Sequence, residues 1–435
     1  MLIYVEYITE RLLYTLSFVL ADREIAYTIT NDSAQFLASE EPKLNYSDFS
    51  FEGILQINPA TVLFEDELLT YQPHQGSFKD MPCLQFEDRP DLLASIFYVL
   101  SRMEEYNSAA LDNMNRFKSS ASVLSKFGWL QNPICDLWSQ QFISFLENAL
   151  KIDLKAKKLP FIFQPTFDID NAFAYKNKNN IRSTLAVIKD ALYNRKQRVR
   201  DRRMVRKGLQ KDPYDTYDHI MHICQKYPQT KVFWLLGNYT KLDKNLSHLN
   251  LAQQNVMTLF EKVTEIGIHY SSLTSNNLQQ MQTEAKRFMS ITGFAPNANR
   301  QHYLMMTLPQ TYKLLIKADI LVDYTMGYAE QTGFRAGTAR QFKWFDLQKN
   351  EITNLLIHPF TYMDGTLKEY LKLDPKQAIK RIQELFKAVE TSGGYFTFLW
   401  HNETIGGYEQ WSDYRSVFEE NFTLFENSKN SLKSK

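Results

Sequence analysis

The sequence predicts an α/β fold in two parts, a smaller mixed domain over residues 1–155 and a strand–helix barrel over residues 156–425, with a frayed tail at 426–435. Three observations predict it. At 435 residues the chain is longer than a single core usually grows, which favours two domains. Short apolar runs rich in Phe, Ile, Val and Trp recur after residue 155 with helical stretches between them, the pattern of parallel strands joined by crossover helices. Polar side chains of chemical interest stand at the ends of those runs, where a barrel collects its reactive groups.

In the first part, Leu2–Val5 and Ile54–Ile57 read as strands, and Glu10–Leu20, Pro90–Tyr106 and Asn132–Leu150 as helices. Arg102, Glu104 and Glu105 are expected in surface or interdomain salt bridges. The Lys/Leu-rich segment KIDLKAKKLP reads as a linker, with the boundary near residue 155. Beyond it, Phe161–Phe167, Val232–Leu236, Ile266–His269, Ile320–Asp323, Asn354–His358 and Tyr395–Trp400 read as strands. Six such units imply a closed or nearly closed barrel rather than a small open sheet. Pro165 lacks an N–H, which makes the first of them an uncomfortable central strand. The tail NSKNSLKSK is low in complexity and expected to fray.

Composition excludes several classes. Hydrophobic residues at 44% and charged residues at 23% belong to an ordinary globular chain, and a net charge of +1 gives no global reason to expect nucleic acid. Cys83, Cys135 and Cys224 show no CxxC spacing, so reduced thiols are expected. Glu6, Glu10 and Arg11 interrupt the apolar N-terminus, which reads as strand then helix in a cytoplasmic protein, and no stretch of about 18 uncharged apolar residues suggests a membrane span. The oligomeric state is not legible.

The chemistry-bearing groups run in order along the second part. TFDID places Asp168 and Asp170 two apart, so both carboxylates project to one side of an extended strand. His269 ends the next candidate strand but one, and a neutral imidazole is a good ligand for zinc or a similar ion. Arg300, His302 and Tyr303 follow in NANRQHY, then Asp323, His358, and His401 with Glu403. Each histidine taken singly is more often a hydrogen-bonding cap than a ligand; together with the aspartate pair they point to a site.

The ordered motifs FDID, DPYDTYDH, RQHY, DYTMGY, GFRAGT, HPF, MD and WHNE resemble the polysaccharide deacetylase superfamily, in a bacterial branch with an extra N-terminal domain. FYVLSRMEEY and the RF of NMNRFKSS resemble that extra domain, whose role the resemblance leaves open. The resemblance implies a distorted (β/α) barrel of about seven strands and a divalent metal, commonly zinc, held by Asp-His-His. It makes Asp168 the catalytic base, Asp170 and His269 metal ligands, Arg300 the residue that orients the base, and His401 the general acid. Glu403 or Asp323 would hold a histidine tautomer. The implied reaction is removal of an N-acetyl group from an acetylated amino sugar or glycan precursor.

One position departs from the family pattern. A second histidine is expected four residues after His269, where Leu273 stands. His302 could supply the third ligand, Ser271 or water could complete a weaker site, or the metal could be absent; Asn171 also replaces a frequent glycine. Two other readings follow: a glycan-binding or regulatory protein on a degenerate barrel, and a metal-independent hydrolase of a small amide. The run Arg195–Lys207, with eight basic residues and one acid, reads as a solvated helical insertion. Its sharper reading is contact with the phosphates of a lipid- or nucleotide-linked sugar, or peripheral contact with an anionic membrane. His219 and His222 have helical metal-ligand spacing but compete with better candidates at the barrel mouth.

Overall fold

The computed structural model describes residues 1–178 and 180–433. In the first part, β1 (Leu2–Tyr4), β2 (Thr28–Thr30), β3 (Lys43–Tyr46) and β4 (Leu55–Ile57) form a parallel sheet in the order β2-β1-β3-β4. A separate antiparallel sheet joins β5 (His74–Phe78), β6 (Met81–Phe86) and β7 (Arg89–Pro90). The helix Leu92–Leu100 is capped by the Asp91 carboxylate, which accepts from the N–H groups of Leu93 and Ala94. The expected helix over 90–106 is broken: Arg102 adopts a left-handed conformation, φ 55°, and a short helix Met103–Tyr106 follows. That turn brings the Arg102 guanidinium onto Glu104 and Glu105.

The second part is a nine-stranded sheet of β8 (Phe161–Ile169), β9 (Lys231–Leu235), β10 (Glu265–Tyr270), β11 (Ala298–Gln301), β12 (Val322–Asp323), β13 (Phe342–Asp346), β14 (Glu351–Ile357), β15 (Tyr362–Met363) and β16 (Gly394–His401). Its order is β13-β14-β12-β11-β10-β9-β8-β16-β15, parallel throughout except for β13 on the edge. The expectation is a closed or nearly closed, distorted barrel of about seven strands; the sheet has nine strands and its ring is not closed. β12 and β15 are two residues long, too short to extend a ladder, and β15 does not pair with another strand to close the ring. Instead the segment after β12 reaches the start of β15, with Phe360 N–H donating to Met326 C=O at 3.1 Å and Gly333 N–H to Thr361 C=O at 2.8 Å. Pro165 causes no difficulty, because β8 pairs with β16 along its length but with β9 only from Thr166 onward.

Aromatic residues make up 14% of the chain, and many of them pack ring against ring in the core. On the final helix, Arg415–Lys433, Phe418 packs against Trp400 and, two turns on, Phe425 stacks on Phe163 with ring centres 4.5 Å apart. The helix runs on through most of the stretch expected to fray, and Glu426 at its start pairs with Lys226 at 3.0 Å and accepts from the Tyr227 hydroxyl. Among the described residues no helix is long and apolar enough to cross a membrane.

The two parts share one continuous buried apolar cluster. GFRAGT forms part of the joint between them. Gly337, at φ 65°, approaches so closely that an added Cβ would stand 2.7 Å from Val99 and 2.9 Å from the Cys135 sulfur. Arg335 pairs with Glu105 at 2.6 Å and Arg340 with Asp136 at 2.6 Å, all four side chains buried. Arg102, Glu104 and Glu105 are therefore buried, with Arg102 paired to both carboxylates inside the first part and Glu105 also paired across the joint to Arg335.

Candidate active site

Parallel strands end together, and β16, β8, β10 and β11 deliver their last side chains to one rim. His401 is in register with Asp168, and His269 with Arg300. Asp168 is buried, and its Oδ1 accepts from Arg300 Nη1 at 2.7 Å. Arg300 is fully buried as well. Its Nη2 donates to Thr166 Oγ1 at 2.9 Å, its Nε donates to Tyr324 C=O at 3.0 Å, and its plane lies 4.6 Å from the Phe233 ring centre. A planar guanidinium fixed on three sides holds one carboxylate oxygen and leaves the other facing the cleft.

Two residues on, Asp170 faces the same side and meets two histidines. Its Oδ1 lies 3.3 Å from His269 Nε2 and its Oδ2 3.3 Å from His302 Nε2. Each ring is oriented from behind: His269 Nδ1 donates to Arg300 C=O at 2.8 Å, and His302 Nδ1 faces Asp243 Oδ1 at 2.7 Å. A neutral imidazole bound at Nδ1 in this way presents its Nε2 lone pair forward. One ligand atom from each of Asp170, His269 and His302 lies within 4.8 Å of the others. Asp170 Oδ1 and His269 Nε2 are buried without a hydrogen-bond partner, an arrangement that fits a divalent cation between them.

His401 completes the cluster, with Nε2 3.8 Å from Asp170 Oδ2 and Nδ1 2.8 Å from Asp364 Oδ1. Burial works against its charge, but Asp364 and Asp170 hold its pKa well above the usual histidine value. Glu403, half-buried on the turn after β16, is pushed up to about 7 by burial and by Asp170. Asp168, Asp170, His269, His302, His401 and Glu403 line one cleft of about 300 Å³.

Other sequence candidates fall elsewhere. Asp323 is buried on β12, accepting from Asn299 Nδ2 at 2.7 Å and from the N–H and hydroxyl of Thr325 at 3.0 and 2.6 Å. It therefore orients no histidine, and neither does Glu403; Asp243 and Asp364 do that. His358 is a core residue between Gln341 and Thr397, stacked on Tyr324 at 4.5 Å. His219 lies on a separate helix, 3.8 Å from Glu419, with His222 exposed beside it. Leu273, on the turn Ser272–Thr274, is 41% exposed, and Ser271 is engaged by Glu284.

Three residues that line the cleft or orient its histidines escaped sequence reasoning. Asp364 stands in the quoted MD motif without an assigned role. Asp243 lies 59 residues before its histidine, in a loop with no local pattern. Arg116 comes from the first part of the chain: it lines the cleft and donates to Tyr303 C=O at 2.8 Å while paired with Asp112 at 2.7 Å.

Residues 1–151 match the family model described as a family of unknown function, DUF7033. No curated protein matches this sequence. Among solved structures, the chain is similar to one provisionally assigned as a polysaccharide deacetylase from Mycobacterium smegmatis, at 13% identity and a TM-score of 0.40, over 62% of this chain and 85% of that one. It is also similar to Puue allantoinase, at 10% identity and a TM-score of 0.36, over 62% of this chain and 84% of that one.

Proposed function

We propose that the protein is a metal-dependent hydrolase of carbon–nitrogen bonds that removes N-acetyl groups from an amino sugar or glycan precursor. The observation that carries the reading is the placement of the Asp170, His269 and His302 donor atoms within 4.8 Å of one another, beside the Arg300-anchored Asp168 and the Asp364-anchored His401. Three donors of this kind suit zinc or a similar ion. Such an ion supplies Lewis acidity toward an amide carbonyl and acidifies a water.

The chain's own groups account for the proton movements. Asp168, fixed by Arg300 and with its second oxygen toward the cleft, takes the proton of the attacking water. The water oxygen joins the acyl carbon, the C–N bond breaks, and the nitrogen leaves only when protonated. His401, held as imidazolium by Asp364, gives that proton. Acetate and a free amine result. Leu273 leaves the number of donors at three, since His302 brings a nitrogen within 4.8 Å of the Asp170 and His269 ligand atoms.

The test is acetate release from N-acetylated sugars by purified protein, with metal content measured in parallel. Stoichiometric zinc and acetate release, both lost in Asp170→Ala, support the proposal. Acetate release that persists undiminished after chelation and in Asp170→Ala refutes it.

A further inference from the structure

The cleft opens into a second cavity of about 760 Å³, sharing Asp170, Tyr214, His302, Tyr303 and Glu403 with it. The two differ in charge. The reaction cleft is lined by six carboxylates and a single arginine, whereas the second cavity is lined by Lys178, Lys189, Arg198, Arg202 and Lys244 against Asp170 and Glu403 alone. Most of that positive wall comes from the inserted helices Asn180–Leu192 and Lys196–Arg206.

The wall is built, not merely solvated. Arg202 is buried, pairs with Asp190 at 2.7 Å and lies 4.7 Å from the centre of the Tyr175 ring. The Tyr175 hydroxyl meets that of Tyr408 at 2.8 Å, and Tyr408 donates to Asp201 at 2.8 Å, which ties the second helix to the loop after β16. Arg198 stands between Asp190 at 3.7 Å and Glu409 at 3.4 Å with about a third of its side chain exposed. Lys189, on the first of the two helices, is exposed and lines the same cavity. Holding this many cations against one concave surface costs self-repulsion, which a multivalent anion relieves.

We infer that this cavity binds a phosphate or diphosphate group carried by the substrate beyond its scissile amide, so that the sugar is presented to Asp168 and His401 as a phosphate-linked precursor. The inference rests on the hydrolase reading for the rest of the substrate, but not for the anion site. Nucleotide-linked and lipid-linked sugars share this chemistry. Leu185 lines the same cavity, and Ile188 and Leu192 continue its apolar stripe at 51% and 80% exposure, a surface on which the chain of a lipid-linked sugar could lie.

The experiment is titration of inorganic pyrophosphate into chelator-treated full-length protein by calorimetry, so that no metal contributes. The expected result is binding weakened at least tenfold by Lys189→Gln and by Arg198→Gln, and unchanged in His269→Ala, which removes a donor of the metal group outside this cavity. Lys189 is a surface residue, so its variant folds whatever becomes of Arg198→Gln. Absence of pyrophosphate binding, binding indifferent to both charge substitutions, or binding lost in His269→Ala overturns the inference. None of these results depends on acetate release, so failure of the hydrolase reading is read separately. Uridine diphosphate binding more tightly than pyrophosphate assigns a nucleotide-linked source; farnesyl diphosphate in phosphatidylcholine vesicles binding more tightly assigns a lipid-linked one.

Discussion

Asp364 engages His401 twice, facing the ring Nδ1 at 2.8 Å and accepting the backbone N–H at 3.0 Å. The Thr404 hydroxyl adds a third bond to the same carboxylate at 2.5 Å. One buried group thus sets the rotamer, tautomer and charge of the proposed acid.

Asp364→Asn should therefore lower kcat for an N-acetyl sugar by about 100-fold with KM little changed, within the range of about 10²–10⁴-fold attributed to general acid–base catalysis. p-Nitrophenyl acetate, whose leaving group needs no proton, should lose far less. Equal losses on both substrates would remove His401 from the role of acid.

The partner of His302 should govern metal retention. Asp243→Asn keeps the shape but weakens the hold on Nδ1, and zinc affinity should fall about 10- to 100-fold, as for other residues that orient a ligating histidine. His302→Ala should lose the ion outright. Elemental analysis after dialysis reads both; full zinc occupancy in His302→Ala would assign the third donor elsewhere.

Asp323 predicts a pH dependence of stability. Burial pushes its carboxyl up to about 6 in the folded chain, against roughly 3.9 unfolded. The folded state then holds the proton more tightly, so the contribution is complete below about pH 4 and is lost as pH rises through about 6. The stability difference between wild type and Asp323→Asn should shift against the wild type by about 2–3 kcal/mol between pH 4 and pH 7. Urea unfolding at the two pH values measures it; a constant difference would contradict the raised carboxyl.

Arg335→Ala leaves Glu105 buried with Arg102 as its remaining cation. Breaking such a pair typically costs about 3–5 kcal/mol, so a large fall in the denaturation midpoint is expected. A change below about 1 kcal/mol would mean that water replaces the guanidinium.

What was legible follows the length scale of each cause. Strand and helix alternation is written in local periodicity, so β8, β9, β10 and β16 were visible as apolar runs ending in Asp168, His269 and His401. β11 and β12 were harder, since polar NANRQ holds a full strand and Ile320–Asp323 only half of one. Ring closure depends on how short strands pair at a distance, which no local pattern records. The same limit applies within the site: Asp170 announces itself two residues from Asp168, but Asp243 becomes a partner of His302 only after the chain has folded.

The buried pairs Arg335–Glu105 and Arg340–Asp136 also decide what a fragment can do. Their guanidiniums belong to one half of the chain and their carboxylates to the other. A cut near residue 155 would leave two stranded cations on a newly bared apolar face and remove Arg116 from the rim of the cleft. The first 155 residues act as a permanently tethered subunit, and any reshuffling of the second part onto another scaffold would have to bring replacement anions with it.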